Sequence, residues 1–309
     1  MEHRVKTMSG VLTPVATPFR RDFSVDGPRF VGFCQWLISQ GSGLAVFGTN
    51  SEANSLSLAE RRALLDRLLD AGIPPERMMP GVGGCSIAET VELARAAVSS
   101  GCGGVLVLPP FFYKGVTDDG LFAYYAQLVD RVDSPDLRLY LYHIPQMSGV
   151  PITSTLIERL LDAFPGTVAG IKDSSGDWAN TEALLGRFPQ LAVFPASEAQ
   201  LVKALPLGAA GCISATANLQ AGRIATLIAA YRTPAFDALH DQVAAVRALL
   251  QEYPMIPALK HVIAACSGEA AWRLVRPPLT SLSDAPGRDL LARLTQLGFE
   301  MPELAAASI

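Results

Sequence analysis

The sequence predicts an α/β chain: a (β/α)8 TIM barrel followed by a C-terminal helical extension. Three observations carry this reading. Apolar runs of β-type composition alternate with stretches of helical spacing. The alternation repeats eight times within the first 233 residues, about the length such a barrel needs. No G-x-G-x-x-G turn opens any of the helices, which sets aside the rival doubly wound sheet.

The first run, Gly10–Phe19, carries Pro14 and Pro18, which suit a strand end better than a central hydrogen-bonded position. A helix is predicted near Arg29–Ser39, closed by Gly41. The second run is Leu44–Thr49; its helix opens on the capping box Ser57-Leu58-Ala59-Glu60 and sets Leu64, Leu65, Leu68 and Leu69 on one face. The third is Met78–Gly83, followed by a second capping box, Ser86-Ile87-Ala88-Glu89, and a helix ending near Gly101. The fourth run, Gly104–Pro110, precedes a helix near Asp118–Arg131. The fifth, Leu137–Ile144, precedes one marked by Leu156, Ile157, Leu160 and Leu161. The sixth, Val168–Ser175, ends in a lysine and small polar residues, ahead of a helix near Trp178–Arg187. The seventh, Leu191–Pro195, precedes a helix near Glu198–Leu205, and the eighth is Gly211–Thr216. Residues 1–233 are therefore the expected barrel and carrier of the site. Residues 234–309 hold no clear strand and read as three helices, Ala235–Tyr253, Ile256–Cys266 and Arg288–Leu297. No Pro/Gly/Ser-rich linker precedes them, so they are expected to pack on the barrel or on a neighbouring subunit.

Half of the 309 residues are hydrophobic and 17% are charged, ample for a sizeable core. A net charge of −4 with no basic run argues against a nucleic-acid partner. Met1–Lys6 lacks the apolar core of a leader, and no uninterrupted apolar segment reaches spanning length, so no membrane partner is expected. The five cysteines are scattered and odd in number, with no CxxC or Cys/His cluster, so neither a disulfide framework nor a metal site is expected. A cytoplasmic setting fits that usage.

In a barrel of this kind, chemistry stands at the C-terminal ends of the strands. The sixth run places Lys172 there. An amine held in an apolar wall is desolvated, which favours its neutral, nucleophilic form, and a neutral amine condenses with carbonyls to a Schiff base. The competing reading is a lysine snorkelling from a strand end. Tyr142, on the fifth run, is either a satisfied core tyrosine or a proton shuttle beside that lysine. Strand residues alternate in facing, so if Tyr142 points inward, His143 points toward the helices and is structural. Asp173 alternates away from Lys172 in the same manner and reads as a loop or capping group. Gly48-Thr49-Asn50-Ser51 offers backbone N–H groups and a hydroxyl, either as an ordinary helix-capping loop or as a cradle for a carboxylate. Glu52 and Glu198 begin helical segments, where the dipole favours a carboxylate. Together, Lys172, Tyr142 and Thr49 make a complete set for a 2-oxo acid: carboxylate in the cradle, lysine at C2, tyrosine moving the proton at C3.

With those residues identified, the chain resembles the dihydrodipicolinate synthase / N-acetylneuraminate lyase family of pyruvate-dependent class I aldolases, from about Gly10 through the C-terminal helices. Gly170-Ile171-Lys172-Asp173-Ser174-Ser175 is similar to the family's Schiff-base motif, with Lys172 in the lysine's place. Tyr142-His143-Ile144-Pro145 is similar to its Tyr-Asn-x-Pro segment, and Gly48-Thr49-Asn50-Ser51-Glu52 to its Gly-Thr/Ser-Thr-Gly-Glu loop. The resemblance places Thr49 in the proton relay and Ile213 and Ser214 near the bound keto acid. It implies a homotetramer, a covalent pyruvate enamine on Lys172, and no metal or organic cofactor.

The departures bear on substrate binding. Asn50 and Ser51 stand for the usual Thr-Gly. Phe112 stands where dihydrodipicolinate synthases place a tyrosine, with Tyr113 adjacent as a substitute. Met147 stands where they carry an arginine for the carboxylate of aspartate semialdehyde, and a thioether cannot make that charge-assisted bidentate contact. The expected function is a Schiff-base lyase or aldolase taking pyruvate or a related 2-oxo acid together with an aldehyde. The alternatives are 4-hydroxy-tetrahydrodipicolinate synthase proper, a 2-keto-3-deoxy sugar acid aldolase or dehydratase, and a barrel that binds keto acids without turnover.

Overall fold

The structure, a computed structural model, describes residues 7–302 and 304; Met1–Lys6, read above for leader character, and the tail 305–309 lie outside the described residues. The chain runs β1 (Gly10–Thr13), α1 (Gly27–Ser39), β2 (Gly43–Leu44), α2 (Leu58–Asp70), α3 (Ile87–Ser99), β3 (Val105–Val107), α4 (Asp118–Val132), β4 (Leu139–His143), α5 (Pro145–Ser148), α6 (Ser154–Ala163) and β5 (Val168–Asp173). It continues through α7 (Trp178–Arg187), β6 (Ala192–Pro195), α8 (Leu201–Ala204), β7 (Gly211–Ile213), α9 (Ala217–Ala229), α10 (Phe236–Gln251), α11 (Met255–Ser267) and α12 (Asp284–Gln296).

Parallel ladders join β2–β1–β7 and β3–β4–β5–β6. The third apolar run closes one gap between them. Met79 N donates to Leu44 O at 2.8 Å, Gly81 N to Val46 O at 2.7 Å, and Leu106 N to Pro80 O at 2.9 Å. Pro80 has no N–H to donate, so this run pairs through isolated parallel bridges rather than a regular ladder. Ala210 N to Val193 O, 3.0 Å, closes the other gap. All eight runs therefore belong to one ring.

Side chains sort by the period of two. Leu12, Ala45, Met79, Leu106, Tyr140, Tyr142, Phe194 and Ile213 fill the interior. Leu139, Leu141, Ile171 and Val193 pack outward on the helices. In β5 the register against β4 slips by one residue between Leu139↔Val168 and Tyr140↔Gly170. That extra residue returns Gly170 and Lys172 to the inner face. Gly170 is required by close approach: a Cβ there would lie 2.3 Å from Ala192 O and 2.7 Å from the Tyr140 ring.

Expected and observed elements differ at several points. The first run is strand only to Thr13, because Pro14 and Pro18 cannot donate. The chain beyond is fastened by side chains instead, Ala16 N to Asn218 Oδ1 at 2.8 Å and Thr17 Oγ1 to Ser51 O at 2.7 Å. The helix expected near Glu198–Leu205 is a 3-10 turn, the short α8 and a second 3-10 turn, the last of these containing Pro206. Helix α9, which no named run announced, follows β7 and starts on small residues after Thr216. The Ser57–Glu60 capping box forms in both directions; at Ser86 only the hydroxyl-to-Glu89 N half is made.

The C-terminal helices pack on this chain's own α1 side. Trp272 is fully buried and meets the Phe33 ring edge-on at 4.9 Å. Deeper, Lys260 of α11 forms an ion pair with Glu52 at 2.5 Å, both side chains excluded from solvent. Burial depresses the Lys260 ammonium to about 8 while Glu52 pulls it upward. Glu52 Oε2 also accepts from Arg276 N at 2.9 Å. Glu52 sits at φ +55 directly after the Thr49–Ser51 turn, so this pair ties the C-terminal helices to the loop that carries Thr49. Lys260→Met leaves Glu52 buried without its cation and is expected to cost about 3–5 kcal/mol. In urea unfolding, the double change with Glu52→Gln is expected to recover part of that loss; an undiminished loss would show the pair to be irrelevant.

A second tie lies closer to the surface. The Arg276 guanidinium bonds both oxygens of Glu60, holding that carboxyl down from 4.5 to about 2. A carboxyl depressed in the fold contributes stability above pH 4.5 that is lost as pH falls toward 2. Glu60→Gln is expected to remove this part of the acid sensitivity, so that the stability gap to the unaltered protein narrows across that window in urea unfolding at stepped pH.

Candidate active site

Three strands and one turn bring the site together inside the C-terminal mouth of the barrel. Lys172 and Tyr142 are register partners across β4 and β5. Both are buried, Lys172 at 1% exposure, and Lys172 Nζ stands 4.2 Å from the centroid of the Tyr142 ring. The Tyr142 hydroxyl meets Thr49 Oγ1 at 3.0 Å. Thr49 begins a 3-10 turn that leaves β2, held from below by Ser51 Oγ accepting from Gly48 N at 3.3 Å. The chemistry follows from the arrangement: an amine with little water around it, and beside it a phenol whose proton has a second oxygen to pass to.

Above these groups opens a cavity of about 590 Å³. Of the residues singled out from the sequence, it brings together Lys172, Tyr142, Thr49, Asn50, Ile213 and Met147. Met147 is 66% exposed and sits at the rim. Two others fall elsewhere. Ser214 does not line the cavity: its hydroxyl is turned into a buried network with Glu198 and Thr216. Tyr113 is 74% exposed and outside the lining, edge-on to the equally exposed Phe112 at 5.4 Å. Among the described residues nothing buries the pair, and the loop beside it is tied by Lys114, whose Nζ donates to Ser148 O at 2.7 Å.

His143 and Asp173 take the outward positions that alternation requires. His143 Nδ1 accepts from Ile152 N at 3.0 Å, and burial lowers its pKa, opposed by Asp173. Asp173 accepts from Ser175 N, Asn180 Nδ2 and Thr181 Oγ1, fixing the loop after β5. Glu198 is fully buried and takes bonds from Ser214, Thr216 and Gln220.

One wall of the cavity is not announced by the sequence. Arg247 and Gln251 of α10, residues 253–257, and Pro278–Thr280 all line the cavity. Residues beyond 233 thus line the cavity as well. One signal was present: Arg247 and Gln251 lie one turn apart on a helix that buries Val243, Val246, Leu249 and Leu250, but only tertiary packing shows where they face. Among the described residues, no group of three or more His, Cys, Asp or Glu is placed to hold a metal, and no helix is long and apolar enough to cross a membrane.

Comparison with known proteins converges on one group. The model of the dihydrodipicolinate synthetase family matches residues 7–297. A DapA-like lyase of Chloroflexus aurantiacus is 34% identical over 285 residues, covering 88% of this chain and 92% of that one. The crystal structure of a dihydrodipicolinate synthase from Agrobacterium tumefaciens superposes with a TM-score of 0.86 at 32% identity, over 93% of this chain and 99% of that one. YagE of Escherichia coli, solved in complex with pyruvate, gives 0.84 at 27% identity, over 94% and 98%.

Proposed function

We infer that this chain, which belongs to the dihydrodipicolinate synthetase family, is a Schiff-base-forming lyase or aldolase that makes or breaks a carbon–carbon bond beside a bound 2-oxo acid, with pyruvate as the nucleophilic half and an aldehyde as the other. Lys172 attacks C2 of the keto acid, and the carbinolamine loses water to give an iminium. In the cleavage direction the substrate's C4 hydroxyl yields its proton to the Tyr142–Thr49 pair. The C3–C4 bond then breaks, its electrons entering the iminium to form an enamine, and the aldehyde departs. Protonation at C3 and hydrolysis return pyruvate and the free amine. Condensation is the reverse. Backbone N–H groups at Thr49–Asn50 hold the C1 carboxylate, and Ile213 flanks the keto carbon.

One observation carries this reading: a buried lysine 4.2 Å from a tyrosine ring, whose hydroxyl is bonded to Thr49, beneath a cavity large enough for both halves of the substrate. YagE's complex with pyruvate supports the choice of keto acid. The step needs neither a metal nor an organic cofactor, since the iminium formed on Lys172 is the electron sink. A homotetramer is supported by the exposed Phe112–Tyr113 pair, and through it Tyr113 would reach a neighbouring site. A cytoplasmic location is supported by the free cysteines. Residues 1–233 are the catalytic barrel and 234–309 a helical appendix that completes the cavity.

A second reading, 4-hydroxy-tetrahydrodipicolinate synthase proper, is favoured by the likeness to the Agrobacterium enzyme and opposed by the uncharged Met147 at the rim. Treatment with pyruvate and borohydride tests the shared chemistry: a reduced adduct is expected on Lys172, and no adduct, or one on Lys203, overturns it. Pyruvate uptake with aspartate semialdehyde, or release from 2-keto-3-deoxy sugar acids, 4-hydroxy-2-oxoglutarate or N-acetylneuraminate, then identifies the aldehyde. Pyruvate capture without turnover of any of them would point to a binding protein.

A further inference from the structure

Two cations line the 590 Å³ cavity, and the reaction above employs only one of them. Lys172 is committed to the keto carbon. The other, Arg247 on α10, has no part in that chemistry. No aspartate or glutamate is among the lining residues, so nothing within the cavity neutralises it. Arg247 Nη1 donates to Ser214 Oγ at 3.3 Å, while its Nε is buried and without a partner among the described residues. Glu198 lies behind Ser214, but that carboxylate already receives Ser214, Thr216 and Gln220, so the guanidinium is not consumed in satisfying it.

The geometry bears on which anion fits. Arg247 presents a planar fork of donors, which a carboxylate matches in a bidentate manner. A phosphate dianion is usually gathered by several cations or a nest of backbone N–H groups, and here Arg247 is the one cation beside Lys172 in the lining. Gln251, one turn along α10, and Thr280 also line the cavity and add an amide and a hydroxyl. Gln146 and Met147, which also line the cavity, carry no charge.

We propose that Arg247 receives a second carboxylate, at the end of the substrate remote from the keto group, so that this lyase acts on 2-oxo diacids, or equivalently joins pyruvate to an aldehyde that bears its own carboxylate. The proposal rests on the Schiff-base reading of Lys172, and the test keeps the two apart.

Straight-chain 2-oxo acids of matched length are offered in pairs, one with a terminal carboxylate and one with a terminal methyl: 2-oxoglutarate against 2-oxopentanoate, 2-oxoadipate against 2-oxohexanoate, and the next pair up. Each condenses with Lys172 as pyruvate does, water leaving. Borohydride then delivers hydride to the iminium and fixes it as a secondary amine. Half-saturation for capture is read by intact mass, with no turnover required. The unaltered protein is expected to capture the diacid about tenfold or more below the monoacid concentration at the chain length that spans the cavity, the scale of a charge-assisted contact. In Arg247→Gln that preference is expected to disappear through weaker capture of the diacid alone, and in Arg247→Lys to survive in part. Capture of the monoacids and of pyruvate reports that each variant is folded. If no length favours the diacid, or if Arg247→Gln weakens diacid and monoacid alike, Arg247 serves the Glu198 network and the proposal fails. If pyruvate itself is not captured by the unaltered protein, it is the Schiff-base reading that fails.

Discussion

Lys172→Met yields a folded protein that captures no 2-oxo acid. Methionine fills much of the volume of the buried lysine stem without its charge, and removing a cation from a site of 1% exposure relieves a desolvation cost. The melting temperature is therefore expected to equal or exceed that of the unaltered protein, while turnover falls on the order of 10⁴-fold or more, the scale reached when a covalent nucleophile is removed. Intact-mass measurement after pyruvate and borohydride should show only the unmodified chain. An adduct that persists in this variant would transfer the chemistry to another lysine, and Lys260, committed to Glu52, would be a poor candidate.

Tyr142→Phe separates capture from turnover. The ring stays against Lys172, so the amine keeps its packing, but the hydroxyl bonded to Thr49 is gone. Loss of a positioned acid/base costs about 10²–10⁴-fold, so kcat is expected to fall by that amount while a pyruvate adduct still forms, more slowly. Thr49→Val is expected to have a smaller effect, because the phenol survives and loses only its partner. The double variant should be little worse than Tyr142→Phe alone, since the two hydroxyls act as one unit. Additive losses would mean that Thr49 touches the substrate independently of Tyr142.

The barrel was legible in the sequence because each of its parts is local. Eight apolar runs with helical spacing between them leave few ways to bury both faces of the strands. The third run was recoverable by counting, although Pro80 denies it a regular ladder. The core of the site was legible for a related reason. In β4 the alternation that turns Tyr142 inward also turns His143 outward, which makes the histidine structural on the sequence pattern alone.

Two placements were not legible. Ser214 follows Ile213 at the end of β7, and the family resemblance put both near the keto acid; the structure turns the serine toward Glu198, because a buried carboxylate must find donors. Tyr113 was placed at the site on adjacency to Phe112, and in one chain it points to solvent.

The sequence by itself determined the barrel, the lysine on its inner wall and the tyrosine beside it. These follow from periodicity within single strands and from motifs a few residues long. Tertiary structure alone decided what surrounds them: that α10 folds back to put Arg247 and Gln251 over the cavity, and that Lys260 reaches across more than two hundred positions of chain to Glu52 beneath the Thr49 turn. No local pattern encodes such contacts. They arise from the burial of apolar helix faces, and the polar groups carried on those helices arrive where the packing leaves them.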